Sequence, residues 1–325
     1  MKIWFAWVVL FVCSISSAFF ADEIEQGLQY TFNGKYDTSS RYWQDLFTNH
    51  SKFEYRFFDL YNSYIEITDI ESYFESENFL SQSNSLLDSI DYMDSANNLS
   101  EDRKEFYKAA ILTFISGIHS KTGSLFKGYK KIHEAEKIAS KILKTNPSDK
   151  NLYLIKGTYR YWKDKAIDSI PLIKKSVDKS IEMIAISLNG EKYVRFLAFS
   201  QLAWIYYLEK KYEQCLQICN EALKEFPDSR LFLKPKAESY KKMEKYQESI
   251  DQYGRVISSL EKDGLTETYI NVKLNTKLAE LYLLCGNKNK AISVANYVNK
   301  LRLDDTNKKA SNEYLIRAEK IIRSN

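Results

Sequence analysis

Turn-forming residues are scarce in this chain: 325 residues include 10 Gly and 4 Pro. A sheet-only fold of that size needs many tight turns, which glycine and proline mostly supply, so the shortage excludes it and favours long helices on short loops. Histidine is scarcer still, with His50, His119 and His133 alone. None belongs to an HExxH pair, and the chain has no glycine-rich phosphate loop, nucleophile elbow or cysteine cluster of metal-binding spacing. The common routes of catalysis need such groups, so the sequence reads as a non-enzyme with no cofactor and no metal. Acidic pairs such as Glu23 with Glu25 and Asp304 with Asp305 read as exposed helix ends. Cys215, Cys219 and Cys285 are too few for a disulfide framework and read as small core residues. A bridge between Cys215 and Cys219, one helical turn apart, is disfavoured by geometry.

What is present begins with MKIWFAWVVLFVCSISSAFFADE: a cation at Lys2, an apolar run from Ile3 to Cys13, small residues, then an acidic start. That is the layout of a secretory signal peptide over residues 1–21, cleaved after Ala18 or Ala21. It implies export to the periplasm or beyond the cell; an uncleaved N-terminal anchor is the alternative. Asn49-His50-Ser51 and Asn98-Leu99-Ser100 fit the glycosylation acceptor, relevant only to a eukaryotic secretory route.

Charge is unevenly spread. Residues 22–100 hold 15 acidic and 4 basic side chains, whereas residues 101–325 hold 28 and 42. Both sets read as solvated helix faces. Alternatively the basic part steers an acidic partner or an anionic membrane surface, or pairs with the acidic end of another copy. Without a nucleic-acid-binding motif, nucleic acid is not an expected partner.

The chain also repeats itself. The segment FLAFSQLAWIYYLEKKYEQCLQICNEALKEFP carries Phe199, Leu202, Ala203, Tyr206, Tyr212, Cys215, Cys219, Ala222 and Pro227. From Arg230, 34 residues on, Leu233, Ala237, Tyr240, Tyr246, Ser249, Tyr253 and Val256 take the same places, with Lys236 and Glu261 departing from them. After an insertion around KDGLTETY, Leu278, Ala279, Tyr282, Gly286, Ala291, Ala295 and Val298 follow suit. Two antiparallel helices packed closely need small side chains where their backbones approach, which the alanines supply. Pro147 and Pro227 stop helices, Ser or Asp after each caps the next, and Asn189-Gly190 reads as a left-handed helix end.

These residues resemble the tetratricopeptide repeat family. The resemblance implies an all-α solenoid of helix-turn-helix repeats, about seven helical pairs and a C-terminal capping helix. Weaker copies are marked by Gly27, Tyr30, Gly34, Tyr36 and Ser39, and by Ala135, Ala139 and Pro147, with Gly157 opening the next helix. The organisation reads as acidic repeats over 22–100, divergent repeats over 101–195, clear repeats at about 196–229, 230–263 and 272–305, and a cap at 306–325. It is one superhelix or two sub-arrays hinged near 90–105. NLYLIKGTYRYWK, EKYVRFLAFSQLAWIYY and FPDSRLFLKPKAESYKKMEKYQESI also resemble exported bacterial proteins of this family.

The family generally binds partners on a concave wall of first helices. The inward offsets select Tyr161, Trp162, Trp204, Tyr207, Lys234, Lys241, Lys242 and Lys273. Aromatics followed by lysines suit an extended peptide with apolar anchors and an acidic flank. The paired Lys and Asn of the family's carboxylate clamp are not found. The reading is an exported scaffold that grips a protein segment; the alternative is a ligand-binding accessory component of a periplasmic transport system.

Overall fold

The computed structural model describes residues 21–90, 92, 99–166 and 177–323. The expected leader, but for Ala21, and Asn98 lie outside the described residues. Among these residues there are fifteen α-helices and no strand. They are α1 (21–32), α2 (Tyr36–His50), α3 (Phe53–Ile70), α4 (Glu77–Ser89), α5 (Glu101–Lys121), α6 (Leu125–Thr145), α7 (Leu152–Ala166) and α8 (Val177–Ile186). Then follow α9 (Lys192–Leu208), α10 (Tyr212–Glu225), α11 (Arg230–Lys242), α12 (Tyr246–Lys262), α13 (Tyr269–Leu284), α14 (Lys288–Lys300) and α15 (Asp305–Arg323). Consecutive pairs form seven hairpins, and α15 closes the end against α13 and α14, making an α-solenoid.

Five hairpins share one construction. Their helices approach at residues twelve apart: Gly27 and Ser39, Ser116 and Gly128, Ala203 and Cys215, Ala237 and Ser249, Ala279 and Ala291. The hydroxyls donate across this contact, Ser39 to the Gly27 carbonyl at 3.2 Å, Ser116 to that of Gly128 at 2.8 Å and Ser249 to that of Ala237 at 2.8 Å. A Cβ added at Gly27 would lie 2.1 Å from Cζ2 of Trp43, so this position needs glycine. Seven residues after the first helix's contact residue, the chain turns through the left-handed region at Gly34, Gly123, Lys210, Glu244 and Gly286. The next N–H closes each turn on the carbonyl five residues back, as Lys211 does on Tyr206 at 2.9 Å and Asn287 on Tyr282 at 2.8 Å. Lysine and glutamate therefore accept a conformation that glycine adopts without strain.

Several local expectations are corrected. Gly190 is extended (φ −88°, ψ −167°) rather than left-handed. A Cβ there would come 2.5 Å from Asn151 Oδ1, which accepts from the Glu191 N–H at 2.8 Å, so a larger residue would have to displace that side chain. Gly157 does not open a helix; it sits inside α7, against Ile184 and Ser180 of α8. Cys215 and Cys219 are buried free thiols, but Cys285 is exposed at the end of α13, beyond the hairpin core. Glu23 is no exposed helix end: it is buried and accepts from the Tyr55 hydroxyl. Ser229 makes no side-chain cap; its carbonyl instead receives the N–H groups of Phe232 and Leu233 in the first turn of α11.

One helix departs from the hairpin scheme. α3 buries Phe53, Tyr55, Phe57, Phe58, Leu60, Tyr61, Asn62, Ile65 and Asp69, residues that point around its circumference rather than along one stripe. Phe57 lies 4.5 Å from the Tyr107 ring of α5, and Phe58 5.2 Å from the Tyr193 ring of α9, between centroids. Further along, Asp69 meets Arg230 of α11, and Glu71, just past the helix, meets Lys273 of α13. α3 thus crosses the first helices of four later hairpins and ties residues on both sides of 90–105 into one body.

Candidate partner-binding groove

First helices α7, α9, α11 and α13 stand side by side. Glu209 at the end of α9 accepts from the Tyr161 hydroxyl at 2.8 Å and pairs with Lys165 at 2.6 Å, both on α7. Phe196 of α9 packs on Phe232 of α11 with centroids 5.1 Å apart. Glu238 of α11 pairs with Lys277 of α13, and Lys241 with Glu280 at 3.8 Å. Arg317 of α15 holds Glu280 from the far side at 2.6 Å. The carboxylates of this wall are neutralised within the chain.

The upper half of the wall is filled by α3. Asp69 and Arg230 meet at 2.7 Å with side chains 2% and 3% exposed. Lys234 lies 3.5 Å from the Asp69 carboxylate and donates to its carbonyl. Arg230 also pairs with Asp263, and the Tyr36 hydroxyl donates to Asp69 at 2.8 Å. Burial alone would push Asp69 upward, but Arg230 and Lys234 beside it hold its carboxyl below the usual carboxylate range. Glu71 is lowered likewise: against burial, Lys234 and Lys273 favour its charged form. Part of the acidic N-terminal excess is thus answered by lysine and arginine of the same molecule, as Glu25 with Lys192 also shows.

This filling is not a loose plug. Seven large side chains of α3 are buried, and each contributes about 1.5–3 kcal/mol on leaving water. α3 is core, and the upper groove is closed.

The residues selected from sequence therefore separate. Tyr161 and Lys234 are buried and have no surface to give a partner. Lys273 is half-buried and held by Glu71. Trp204 and Tyr207 remain half-buried, edge to face at 5.7 Å, while burial and Glu238 push the Tyr207 hydroxyl up to about 12. Lys241 is half-buried and paired with Glu280; Lys242 is exposed. Trp162 is 48% exposed, its ring edge to face with Tyr161.

Sequence reasoning selected Trp162 and Lys242 but missed Leu208 and Leu284, which complete a row at the lower edge. Five residues beyond Gly157, Ala203, Ala237 and Ala279 stand Trp162, Leu208, Lys242 and Leu284. Leu208 is 48% and Leu284 53% exposed, with Leu283 beside it. The shared offset from the small contact residue was the available signal.

The family model described as tetratricopeptide repeat matches residues 197–229, which cover most of α9, its turn and α10. This chain carries a tetratricopeptide repeat. The repeat protein is also similar to a tetratricopeptide repeat protein of Parabacteroides merdae, at 13% identity and a TM-score of 0.42 over 92% of this chain and 98% of that one. The C-terminal part of a tetratricopeptide repeat-containing protein of Cytophaga hutchinsonii aligns at 16% identity and a TM-score of 0.42, over 89% and 98% of the two chains. No curated protein sequence matches this repeat protein. No helix among its described residues is long and apolar enough to cross a membrane.

Proposed function

We propose that this protein is an exported, non-catalytic scaffold that binds a segment of another protein along the lower edge of its first-helix wall. The fold is that of an interaction scaffold; the observation that carries the finer reading is the row Trp162, Leu208, Lys242 and Leu284, repeated at one offset and open to solvent. Trp204 and Tyr207 border the row, and Lys242 supplies its exposed cation. An extended segment with apolar residues spaced to these anchors and an acidic residue near Lys242 suits it. Export rests on the N-terminal cation, apolar run and small residues.

The test is co-purification from the native envelope with Leu208→Glu and Leu284→Glu together, followed by mapping of the recovered segment. Loss of one specific protein from the double variant, with its melting temperature unchanged, supports the edge; equal recovery overturns it. A second reading, a ligand-binding accessory component of a periplasmic transport system, is favoured by an open cleft of about 550 Å³ between α8, α9 and α10. Ala185, Leu188 and Phe199 give it apolar walls, and Arg195 and Lys224 give it cations. Arg195 is already paired with Glu225 at 2.6 Å, so an anion there must compete with that carboxylate. A rise in melting temperature with anionic metabolites, abolished by Arg195→Ala, would favour this reading.

A further inference from the structure

The turn between α5 and α6 shares the hairpin construction but presents a different surface from the binding edge. Leu125 and Phe126, the first two residues of α6, are 68% and 70% exposed, among the most exposed large apolar side chains of the described residues. Tyr129, one turn later, is 40% exposed. The stretch from Phe106 to His133 contains no acidic residue, while Lys121, Lys127, Lys130 and Lys131 surround the turn. Lys130 holds its ammonium 4.5 Å from the centre of the Phe126 ring. Lys131 pairs with Glu134 at 3.5 Å, one turn into α6. His119, at the end of α5, is held below the usual histidine range by partial burial and by the charges of Lys127 and Lys131, so these cations act on one locality.

We propose that this turn is a membrane-contact site, in which Leu125 and Phe126 enter the headgroup region of an anionic lipid surface and Lys121, Lys127 and Lys130 bind its phosphates. Three features favour lipid over a protein partner. Two adjacent side chains on a projecting turn offer far less than the roughly 800 Å² per partner of a stable protein interface. They protrude instead of lining a pocket, which suits a deformable solvent and not a rigid surface. Finally, lysines beside exposed apolar groups can keep their stems among lipid while their heads stay at the phosphates. Lysines near an anionic surface are attracted to it, and apolar insertion beside them adds to that attraction.

The experiment is flotation of the full chain with vesicles of equal parts phosphatidylglycerol and phosphatidylcholine, beside vesicles of phosphatidylcholine alone. Binding to the anionic vesicles only, weakening with salt, is the expected result. Lys127→Glu with Lys130→Glu should lower the partition about tenfold or more, and Leu125→Ala with Phe126→Ala should lower it severalfold. Both pairs are exposed, so melting temperatures should stay unchanged. Leu208→Glu with Leu284→Glu should leave lipid binding intact, separating this site from the protein-binding edge. A second measurement reads the turn directly: Phe126→Trp should add fluorescence that brominated lipid quenches. Equal binding to neutral vesicles, no loss in the apolar double variant, absence of quenching, or protein co-purification through this turn without vesicle binding would each overturn the proposal.

Discussion

Helix α3 and helix α12 are nearly equal in length, yet they belong to different kinds of structure. α12 buries one stripe, Ser249, Ile250, Tyr253, Val256, Ile257 and Leu260, against its hairpin partner and neighbours. Its ties are short in sequence: Tyr253 donates to Glu238 fifteen residues away. α3 is buried around its circumference, and its ties are long, 161 residues from Asp69 to Arg230 and 202 from Glu71 to Lys273. A solenoid built only like α12 is quasi-one-dimensional, each repeat leaning on the next. α3 adds long-range contacts that couple the first repeats to the last, which slows folding and raises cooperativity.

The strongest way to break that contrast is Asp69→Ala, which leaves Arg230 and Lys234 buried without their carboxylate. Breaking such a pair from one side destabilises by about 3–5 kcal/mol; chemical denaturation should show it, and a loss below about 1 kcal/mol would mean that α3 is not the tie described here. Glu66 sharpens the contrast through pH. Burial, with Asp37 and Asp69 nearby, pushes it from 4.5 up to about 7. The folded state therefore prefers its protonated form, so the stabilisation is complete below pH 4.5 and is lost as pH rises toward and through about 7. By linkage this amounts to roughly 3 kcal/mol. Stability of Glu66→Gln measured from pH 4.5 to 8 should lack this fall and exceed the parent's at the alkaline end. Asp69, shifted the other way, loses its contribution as pH drops through its depressed value, so acid should unfold both proteins.

Gly27→Ala tests whether the first hairpin is packed as tightly as the later ones. The new Cβ meets the Trp43 ring, and overpacking of this sort costs about 1–3 kcal/mol; the midpoint of thermal unfolding would register it. At the small end, Lys242→Ala on the exposed edge should change stability by less than about 0.5 kcal/mol. A larger change would show that the edge belongs to the packed structure and is not a free surface.

Much of the hairpin construction was legible from sequence. Ala203, Ala237 and Ala279 mark where helices touch, the first two related by the 34-residue step and the third displaced by the insertion around KDGLTETY. The binding surface was less legible. Counting inward offsets treated the wall as uniformly open, so Lys234 and Lys273 read like Lys242, although the first is buried and the second engaged by Glu71. Leu208 and Leu284 share one offset from the small contact residue with Trp162 and Lys242, but a leucine in a helix carries no mark of exposure in the sequence, and the structure supplies it.

The sequence alone determined the local rule: small residues at a fixed spacing force close helix pairs. That information lies within one or two repeats, where spacing and geometry are directly linked. Which helix fills the wall was decided by the tertiary structure, because an aromatic-rich segment with two carboxylates near its end specifies chemistry without naming the surface that will receive it. Only in three dimensions do Asp69 and Glu71 find Arg230, Lys234 and Lys273 and divide one wall into a closed half and an open edge.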